Sequence, residues 1–262
     1  MKIALMDSGI GLLAAAAAVR RLRPDADLVL SSDPGSMPWG PRTPEDVTAR
    51  ALAVAEAAAR YRPEALIVAC NTASVRALPA LRARLEPEVP VIGTVPAIKP
   101  AAAGGGPVAI WATPATTGSP YQRGLIREFA DGVSVTEVAC PGLADAVEHA
   151  DQAAIDAAIA AAAARTPQDV RAVVLGCTHY ELVAERIRAA VQRPGLPPLV
   201  LHGSAGAVAA QALRRIGELP DIEAPAADSA VTVLLGGREG ALPATALTYE
   251  EGRILSAVSP AR

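Results

Sequence analysis

The sequence predicts an α/β protein with two domains built on mostly parallel sheets. Short apolar runs rich in Val, Ile and Leu alternate with Ala-rich segments along most of the chain, which is typical of strands joined by crossover helices. A Gly/Pro stretch at residues 101–107 indicates a linker. The late apolar run 230–235 is expected to return to the first domain. We therefore predict domains at residues 1–98 plus 206–262 and at residues 99–205.

Each element follows from its local composition. Apolar runs with β-branched residues predict strands, at residues 2–6, 28–31, 65–69, 89–95, 108–112, 133–139, 170–175, 199–202 and 230–235. Segments of helix-forming composition, most of them Ala-rich, predict helices between the strands, at residues 12–22, 44–61, 74–85, 120–129, 151–165, 182–192 and 203–216. Thr43 is expected to cap the second helix, with Pro44 at its first position. Residues 220–228 form a predicted connector, and the tail after Gly252 is expected to be partly mobile.

The bulk composition excludes several classes of protein. The 262 residues carry a formal net charge of −3, so the chain lacks the basic surface of a nucleic-acid binder. The N-terminal run turns polar at Asp7, unlike a signal peptide, and no apolar stretch reaches the roughly 20 residues that span a membrane. We expect a cytoplasmic protein that binds neither nucleic acid nor membrane, with its three cysteines as free thiols.

The residue counts also argue against a cofactor or a metal. Lys2 and Lys99 are the only lysines, and neither is well placed for the Schiff base that a pyridoxal enzyme needs. Cys177 and His179 would supply two metal ligands, but no C-x-x-C or H-x-x-x-H pattern completes a tetrahedral set. We therefore predict a site without cofactor or metal.

Two cysteines follow strand-forming runs in matching local sequences. Cys70 comes after residues 65–69 and precedes Asn71-Thr72, while Cys177 follows Gly176 and precedes Thr178-His179. Ligands of open parallel sheets bind beyond the carboxyl ends of the strands. Two such ends facing one ligand would put a thiol on each side of it.

A thiol on each face suits removal of the α-proton of an amino acid, because one group takes a proton while the other delivers one. Thiols have a reference pKa near 8.5 and can serve as acid or base when a site tunes them. Ser8, Asn71, Thr72 and Thr178 are donors that could hold the substrate carboxylate. Two alternatives stay open: structural thiols, and a Cys–His hydrolase with His179 as base, which leaves Cys70 unexplained.

Three further segments carry candidate residues, each with a plainer alternative. Asp7 and Ser8 either line a pocket at a strand end or form a simple turn, with Ser8 capping the next helix and Asp7 solvated. Trp39-Gly40, in a long Pro/Gly loop, either walls a pocket or packs that loop down. The hydroxyls of residues 113–119 suit a carboxylate or ordinary helix capping. Cys140 lacks polar companions and is predicted to be structural.

The chain resembles the glutamate racemases of the aspartate/glutamate racemase superfamily over residues 1–215. The motifs that carry the resemblance stand in order: Asp7-Ser8-Gly9-Ile10-Gly11, Pro38-Trp39-Gly40, Ala69-Cys70-Asn71-Thr72-Ala73-Ser74, Gly93-Thr94-Val95-Pro96-Ala97, Ala112-Thr113 through Thr116 to Ser119, Cys140-Pro141 through Glu148, and Gly176-Cys177-Thr178-His179-Tyr180. The two cysteine motifs are specific when found together.

The resemblance implies a cofactor-independent racemase with two pseudo-symmetric three-layer domains and an active site at their interface. Cys70 and Cys177 would act on opposite faces of the α-carbon, assisted by Asp7, His179 and Glu148. The implied substrate-holding residues are Ser8, Trp39, Gly40, Asn71, Thr72, Thr116 and Thr178. The family's usual role is supply of D-glutamate for peptidoglycan. A small amino acid is the expected partner, and a homodimer is a candidate assembly.

Four departures from the family pattern bear on the substrate. Trp39 stands where the family usually has Tyr, and Glu181 where Pro usually follows His-Tyr. Leu12-Leu13 replaces a second Gly pair, and the segment at residues 119–121 is shorter by one residue. Two alternatives to glutamate racemisation therefore remain: the same chemistry on another amino acid or acidic substrate, and a non-catalytic binding protein on this scaffold.

Overall fold

The computed structural model describes residues 1–226 and 229–257. Its internal contacts divide the chain into two compact units, one of residues 1–95 with residues from 205 onward and one of residues 96–204. The predicted domain boundaries stay a prediction, because compactness does not show that a unit folds independently. The end of the predicted connector (227–228) and the last residues of the expected mobile tail (258–262) lie outside the described residues.

The first unit contains a six-stranded sheet in the order β10-β9-β2-β1-β3-β4. Its strands are β1 (Lys2–Asp7), β2 (Asp27–Ser32), β3 (Ala65–Val68), β4 (Val91–Gly93), β9 (Val231–Leu235) and β10 (Arg238–Gly240). All neighbours pair in parallel except β9 and β10, which are antiparallel. The late strand β9 pairs with β2, so the chain returns to the first unit as predicted.

Helices cover both faces of this sheet. They are α1 (Leu12–Leu22), α2 (Pro44–Ala59), α3 (Asn71–Arg76), α4 (Leu78–Leu85), α11 (Ala205–Arg215) and α12 (Glu250–Ser256). Ala4 and Met6 of β1 pack in one core cluster with Val47 of α2, while Ile3 and Leu5 on the opposite face are equally buried. Alternate residues of a strand point to opposite faces, so a strand buried on both sides is apolar throughout.

The second unit contains a four-stranded, fully parallel sheet in the order β6-β5-β7-β8. Its strands are β5 (Val108–Ala112), β6 (Val135–Ala139), β7 (Ala172–Leu175) and β8 (Val200–His202). Its helices are α5 (Ile98–Ala103), α6 (Pro120–Phe129), α7 (Leu143–Glu148), α8 (Gln152–Ala163), α9 (Thr178–Glu181) and α10 (Ala184–Val191). The central strand β5 is buried along its whole length. The α/β class and the mostly parallel sheets are therefore confirmed.

Three predicted elements differ from the observed ones. Half of the predicted linker belongs to α5, since its Ala residues favour helix and only the following Gly residues end it. The helix predicted at residues 74–85 is two helices, α3 and α4, because Pro79 enters at the start of α4. The helix predicted at residues 182–192 is likewise preceded by the separate short helix α9.

Membrane insertion finds no support among the helices of the described residues. None of them is both long enough and apolar enough to cross a bilayer. The longest, α2, has 16 residues, fewer than the roughly 20 that a spanning helix needs.

Candidate active site

Cys177 lies directly beyond the carboxyl end of β7, in the second unit. It is the N-cap residue of α9 and has an extended backbone, with φ −142° and ψ 136°. The preceding Gly176 donates its N–H to the carbonyl of Trp111 on β5 at 2.7 Å. A Cβ at position 176 would lie 2.8 Å from the same oxygen, so a glycine is needed where β7 approaches β5 this closely. The close approach holds Cys177 at the strand end.

A buried imidazole and a buried carboxylate stand behind this thiol. His179 Nδ1 lies 3.9 Å from Cys177 Sγ, and His179 Nε2 lies 2.9 Å from Glu148 Oε2. The side chains of His179 and Glu148 are only 4% and 10% exposed. A carboxylate on one ring nitrogen sets the tautomer and leaves the other nitrogen for the thiol. The three side chains therefore lie in series, so that His179, oriented by Glu148, can accept the proton of Cys177 or return it.

Cys140 lies near this path but differs from Cys177 in its surroundings. Its side chain is 1% exposed, and its carbonyl accepts a hydrogen bond from Tyr180 Oη at 3.3 Å. Burial, with a smaller contribution from nearby Cys177, raises the pKa of Cys140 to about 12. Burial likewise raises the pKa of Tyr180. Cys140 thus stays protonated near neutral pH, in agreement with a structural role.

Cys70 occupies the equivalent position in the first unit, two residues beyond β3. It is the N-cap residue of α3, with φ −143° and ψ 117°, and is 5% exposed. Because β1 and β3 are parallel neighbours with Met6 opposite Val68, Asp7 and Cys70 lie at the same edge of the sheet. This arrangement puts a carboxylate and a thiol at adjacent strand ends.

Asp7 is buried and its carboxylate is held by the next residue. It is 0% exposed, and its Oδ1 accepts the Ser8 N–H at 2.6 Å and the Ser8 hydroxyl at 3.3 Å. The simple-turn alternative is wrong on both points, since Asp7 is not solvated and Gly11, not Ser8, is the N-cap of α1. The turn instead presents an oriented buried carboxylate at the strand end.

Hydrogen bonds fix the start of α3 beside Cys70. Ser74 Oγ donates to the carbonyl of Val68 at 3.3 Å and accepts the Thr94 N–H at 2.8 Å. The Thr94 hydroxyl donates to the same Val68 carbonyl at 2.7 Å. Asn71 is 7% exposed and Thr72 half-buried. The end of β3, β4 and the helix that follows Cys70 are therefore locked together.

Trp39 contributes to the core more than to any open surface. It is 2% exposed and packs in the cluster that contains Met6 and Val47, while its indole N–H donates to Ser36 Oγ at 2.8 Å. These contacts favour the alternative in which Trp39 packs the loop down. Its neighbour Gly40 is half-buried, so in this pair Gly40 is better placed to meet a ligand.

The hydroxyl-rich segment before α6 divides into two parts. Ser119 is the N-cap and accepts the Gln122 N–H at 3.2 Å, so it performs the capping that was one of the two alternatives. Thr113 and Thr116 place their hydroxyl oxygens 3.3 Å apart and are half-buried. These two hydroxyls remain candidates for binding a substrate.

Most of the chain is similar to known racemases. Residues 11–210 match the family model "Asp/Glu/Hydantoin racemase". The chain is similar to a glutamate racemase of Roseiflexus sp. strain RS-1 (40% identity, covering 71% of this chain and 70% of the relative) and to one of Granulibacter bethesdensis (38% identity, covering 81% and 77%). The chain belongs to the Asp/Glu/hydantoin racemase family. The resemblance seen in the sequence motifs is thereby confirmed.

Solved structures of racemases share this fold. An Escherichia coli glutamate racemase, in complex with L-glutamate and the activator UDP-MurNAc-ala, matches with a TM-score of 0.78 and 27% identity, covering 99% of this chain and 95% of the other. A Thermus thermophilus glutamate racemase, in complex with beta-chloro-D-alanine, matches with a TM-score of 0.69 and 29% identity, covering 100% and 95%.

Within this racemase-family chain, the described side chains gather into two local sites. The second unit brings together Cys177, His179, Glu148 and Thr178, and the first unit brings together Asp7, Ser8, Cys70, Asn71 and Thr72. No group of three His, Cys, Asp or Glu side chains among residues 1–226 and 229–257 is arranged to hold a metal ion.

Two polar contacts beside these sites were not predicted. Glu181 Oε1 accepts both the N–H and the hydroxyl of Ser204, at 2.8 and 2.9 Å, and Arg76 donates to loop carbonyls at Gly40 and Arg42. The available signal was a charged residue close behind each cysteine motif, Arg76 two residues after the first and Glu181 directly after the second. Its partner could not be read from the sequence, since both contacts join distant segments.

Proposed function

We propose that this protein is a cofactor-independent glutamate racemase that interconverts L- and D-glutamate with Cys70 and Cys177 as its two bases. The observation that carries the proposal is the path from half-buried Cys177 through buried His179 to buried Glu148. A solitary structural thiol has no use for a positioned imidazole and carboxylate. The glutamate racemases to which the chain is similar support glutamate as the substrate.

The reaction needs one thiolate and one thiol at the start of each turnover. In one direction the Cys177 thiolate takes the α-proton and the Cys70 thiol delivers a proton to the opposite face, so the two sulfurs exchange protonation states. In the other direction the roles reverse. A general base works best with a pKa near the operating pH, and His179 and Asp7 are the neighbours that would hold or release the thiol protons.

Binding must stabilise the charge that develops as the α-proton leaves. Ser8, Asn71, Thr72 and Thr178 would donate hydrogen bonds to the α-carboxylate, since preorganised donors are the main source of such stabilisation. Gly40 and Thr116 would hold the side-chain end of the substrate, and Trp39 would act only by packing the loop of Gly40 against the core.

Both lysines are engaged away from the cysteine motifs, which supports chemistry without pyridoxal. Lys2 donates to the carbonyl of Tyr61 at 3.3 Å, and Lys99 Nζ lies 5.8 Å from the centre of the Phe129 ring. We further propose that the enzyme works in the cytoplasm, supplies D-glutamate for peptidoglycan and forms a homodimer, which light scattering on the purified protein would test.

The decisive experiment is exchange of the α-proton in deuterium oxide with single L-amino acids. We expect exchange and racemisation with glutamate, and loss of racemisation by about 10³-fold or more in Cys70→Ala and Cys177→Ala. Cys140→Ala is the matched control, because it removes a buried thiol outside the mechanism and is expected to keep full activity. Full activity in either of the first two variants would contradict the two-base mechanism.

A different amino-acid substrate is the second candidate, and Trp39 is its main support. The burial of Trp39 weakens that support. We expect Trp39→Tyr to lower the free energy of unfolding by about 1–3 kcal/mol, as an altered core shape does, and to leave the preferred substrate unchanged. A switch in the preferred amino acid in the same deuterium-exchange panel would favour the second candidate. Exchange with no amino acid would favour a binding protein.

A further inference from the structure

Arg76 joins the helix that follows Cys70 to the loop that carries Gly40. It is the last residue of α3. Its Nη1 donates to the carbonyl of Arg42, and its Nη2 lies 3.5 Å from the carbonyl of Gly40. One planar guanidinium therefore holds two carbonyls of the same loop, which a lysine cannot do with equal geometry.

The loop itself is stiffened by its own hydrogen bonds. Arg42 donates through Nε and Nη2 to the carbonyl of Ser36, at 2.9 and 2.6 Å. Ser36 Oγ accepts the Trp39 indole N–H at 2.8 Å and donates to Asp33 Oδ2 at 2.5 Å. A loop with these internal bonds moves as one piece, so an external contact can set its position as a whole.

We propose that Arg76 is a positioning residue that sets the distance between Gly40 and the donors beside Cys70, and thereby selects the length of the substrate side chain. Asn71 and Thr72 begin the helix that Arg76 ends, so the guanidinium spans from their helix to the loop of Gly40. Gly40 has no side chain and can meet a ligand only through its backbone. The orientation of that backbone is what the Arg76 contact determines.

This inference rests on the proposed function, because it assumes that Gly40 and Asn71 contact opposite ends of an amino acid. The plainer alternative is that Arg76 only stabilises α3, as a basic residue in the last turn of a helix does. The two differ in what a substitution changes. Loss of positioning alters substrate choice, whereas loss of helix stability alters the unfolding free energy and the amount of active protein.

The test compares Arg76→Met and Arg76→Lys with Arg82→Met. Arg82 is a matched control because its guanidinium also donates to a backbone carbonyl, that of Val91 at 3.4 Å, but away from the loop. We expect Arg76→Met to raise KM for glutamate about tenfold with kcat changed less than threefold. The ratio of kcat/KM for glutamate to kcat/KM for aspartate or 2-aminoadipate should fall about tenfold in Arg76→Met. It should fall less in Arg76→Lys and stay unchanged in Arg82→Met.

A second measurement is independent of turnover. Hydrogen–deuterium exchange at the backbone amides of Met37, Trp39, Gly40 and Arg42 should be faster in Arg76→Met than in wild type, and unchanged in Arg82→Met. Unchanged loop exchange, or an equal fall in kcat/KM for all three substrates, overturns the positioning role. If wild type racemises none of the three amino acids, the proposed function fails and the inference fails with it. If wild type prefers aspartate or 2-aminoadipate, only the assignment of glutamate as substrate fails. Selection by side-chain length is then tested by the same tenfold fall in the kcat/KM ratio of the preferred substrate to the other two.

Discussion

The strand end at Cys70 and the strand end at Cys177 have the same backbone conformation but differ in the side chains that surround the thiol. Both cysteines are N-cap residues of short helices, with φ near −143° in each case. Behind Cys177 lies an imidazole in contact with a buried carboxylate, whereas the strand beside Cys70 ends in the buried carboxylate of Asp7. The same local fold can therefore present a thiol to two different proton partners.

The difference indicates how one reaction can use two unlike bases. A racemase must run in both directions, so the two thiols must have similar proton affinities in their working states. Two thiols can have similar proton affinities even when the side chains beside them differ. An imidazole–carboxylate pair and a carboxylate held by a neighbouring serine can each adjust the pKa of a thiol, because pKa values respond to burial, charge and hydrogen bonding together.

The largest expected effect is on kcat/KM, and it tests which residues act together with which thiol. His179→Asn should lower kcat/KM by about 10²-fold, the lower end of the usual contribution of a general acid–base group. Adding Glu148→Gln to it should cost little more, because both belong to one hydrogen-bonded path. Adding Asp7→Asn should multiply the losses, since Asp7 belongs to the other thiol.

Steady-state kinetics in both directions on the three single variants and the two double variants would measure this coupling. His149→Asn is the control, because His149 is an exposed residue one position beyond Glu148 and is expected to leave activity unchanged. If the His179 and Glu148 losses multiply while those of His179 and Asp7 do not, the assignment of partners to thiols is wrong.

A smaller effect is expected at the residue that precedes each cysteine. Gly176→Ala would push a methyl against the carbonyl of Trp111, and should lower the free energy of unfolding by about 1–3 kcal/mol as overpacking does. Ala69 already has a side chain at the equivalent position and is fully buried. Ala69→Gly should cost about 1 kcal/mol, mainly through backbone entropy. Urea unfolding of both variants tests the difference, and equal losses would show that the close approach of β7 to β5 is not special.

The smallest effect concerns Cys140 and appears only at high pH. Its pKa is raised to about 12 in the folded protein by burial, against roughly 8.5 for an unfolded thiol. Above about pH 9 the unfolded chain binds fewer protons at this site, so stability falls as the pH rises. Cys140→Ala should reduce that slope by at most about 1.4 kcal/mol per pH unit, measured by urea unfolding between pH 8 and 10.5. An unchanged slope would mean that the Cys140 thiol ionises freely in the fold.

Local patterns predicted the elements well where they depend on neighbouring residues. Helix α1 was predicted at its observed bounds, and Thr43 caps α2 as expected, accepting the Asp46 N–H at 3.3 Å. Errors arose where a helix is interrupted, as at Pro79, or where an Ala-rich linker is helical, as in α5. Proline has the lowest helix propensity and alanine the highest, so both differences agree with local preferences that the prediction did not weigh.

The candidate site was predicted in part. The paired cysteine motifs were visible as sequence, and the likeness to a known family suggested Glu148 as the neighbour of His179. The burial of Asp7 and the contacts of Arg76 with loop carbonyls were not predicted, and for Trp39 the sequence left a pocket wall and packing of the loop as open alternatives. Each depends on which segments, separated by tens of residues, come to lie against one another.

The sequence by itself determined that β-type runs end in cysteines, that helices follow them and that the sheets are mostly parallel. These features depend on side-chain size and alternation over a few residues, which are written directly in the order of the chain. The tertiary structure alone decided that Asp7 is buried and which of the two alternatives for Trp39 applies, namely packing in the core. Burial and hydrogen bonding between distant residues are set by the packing of whole elements, so no local pattern contains them.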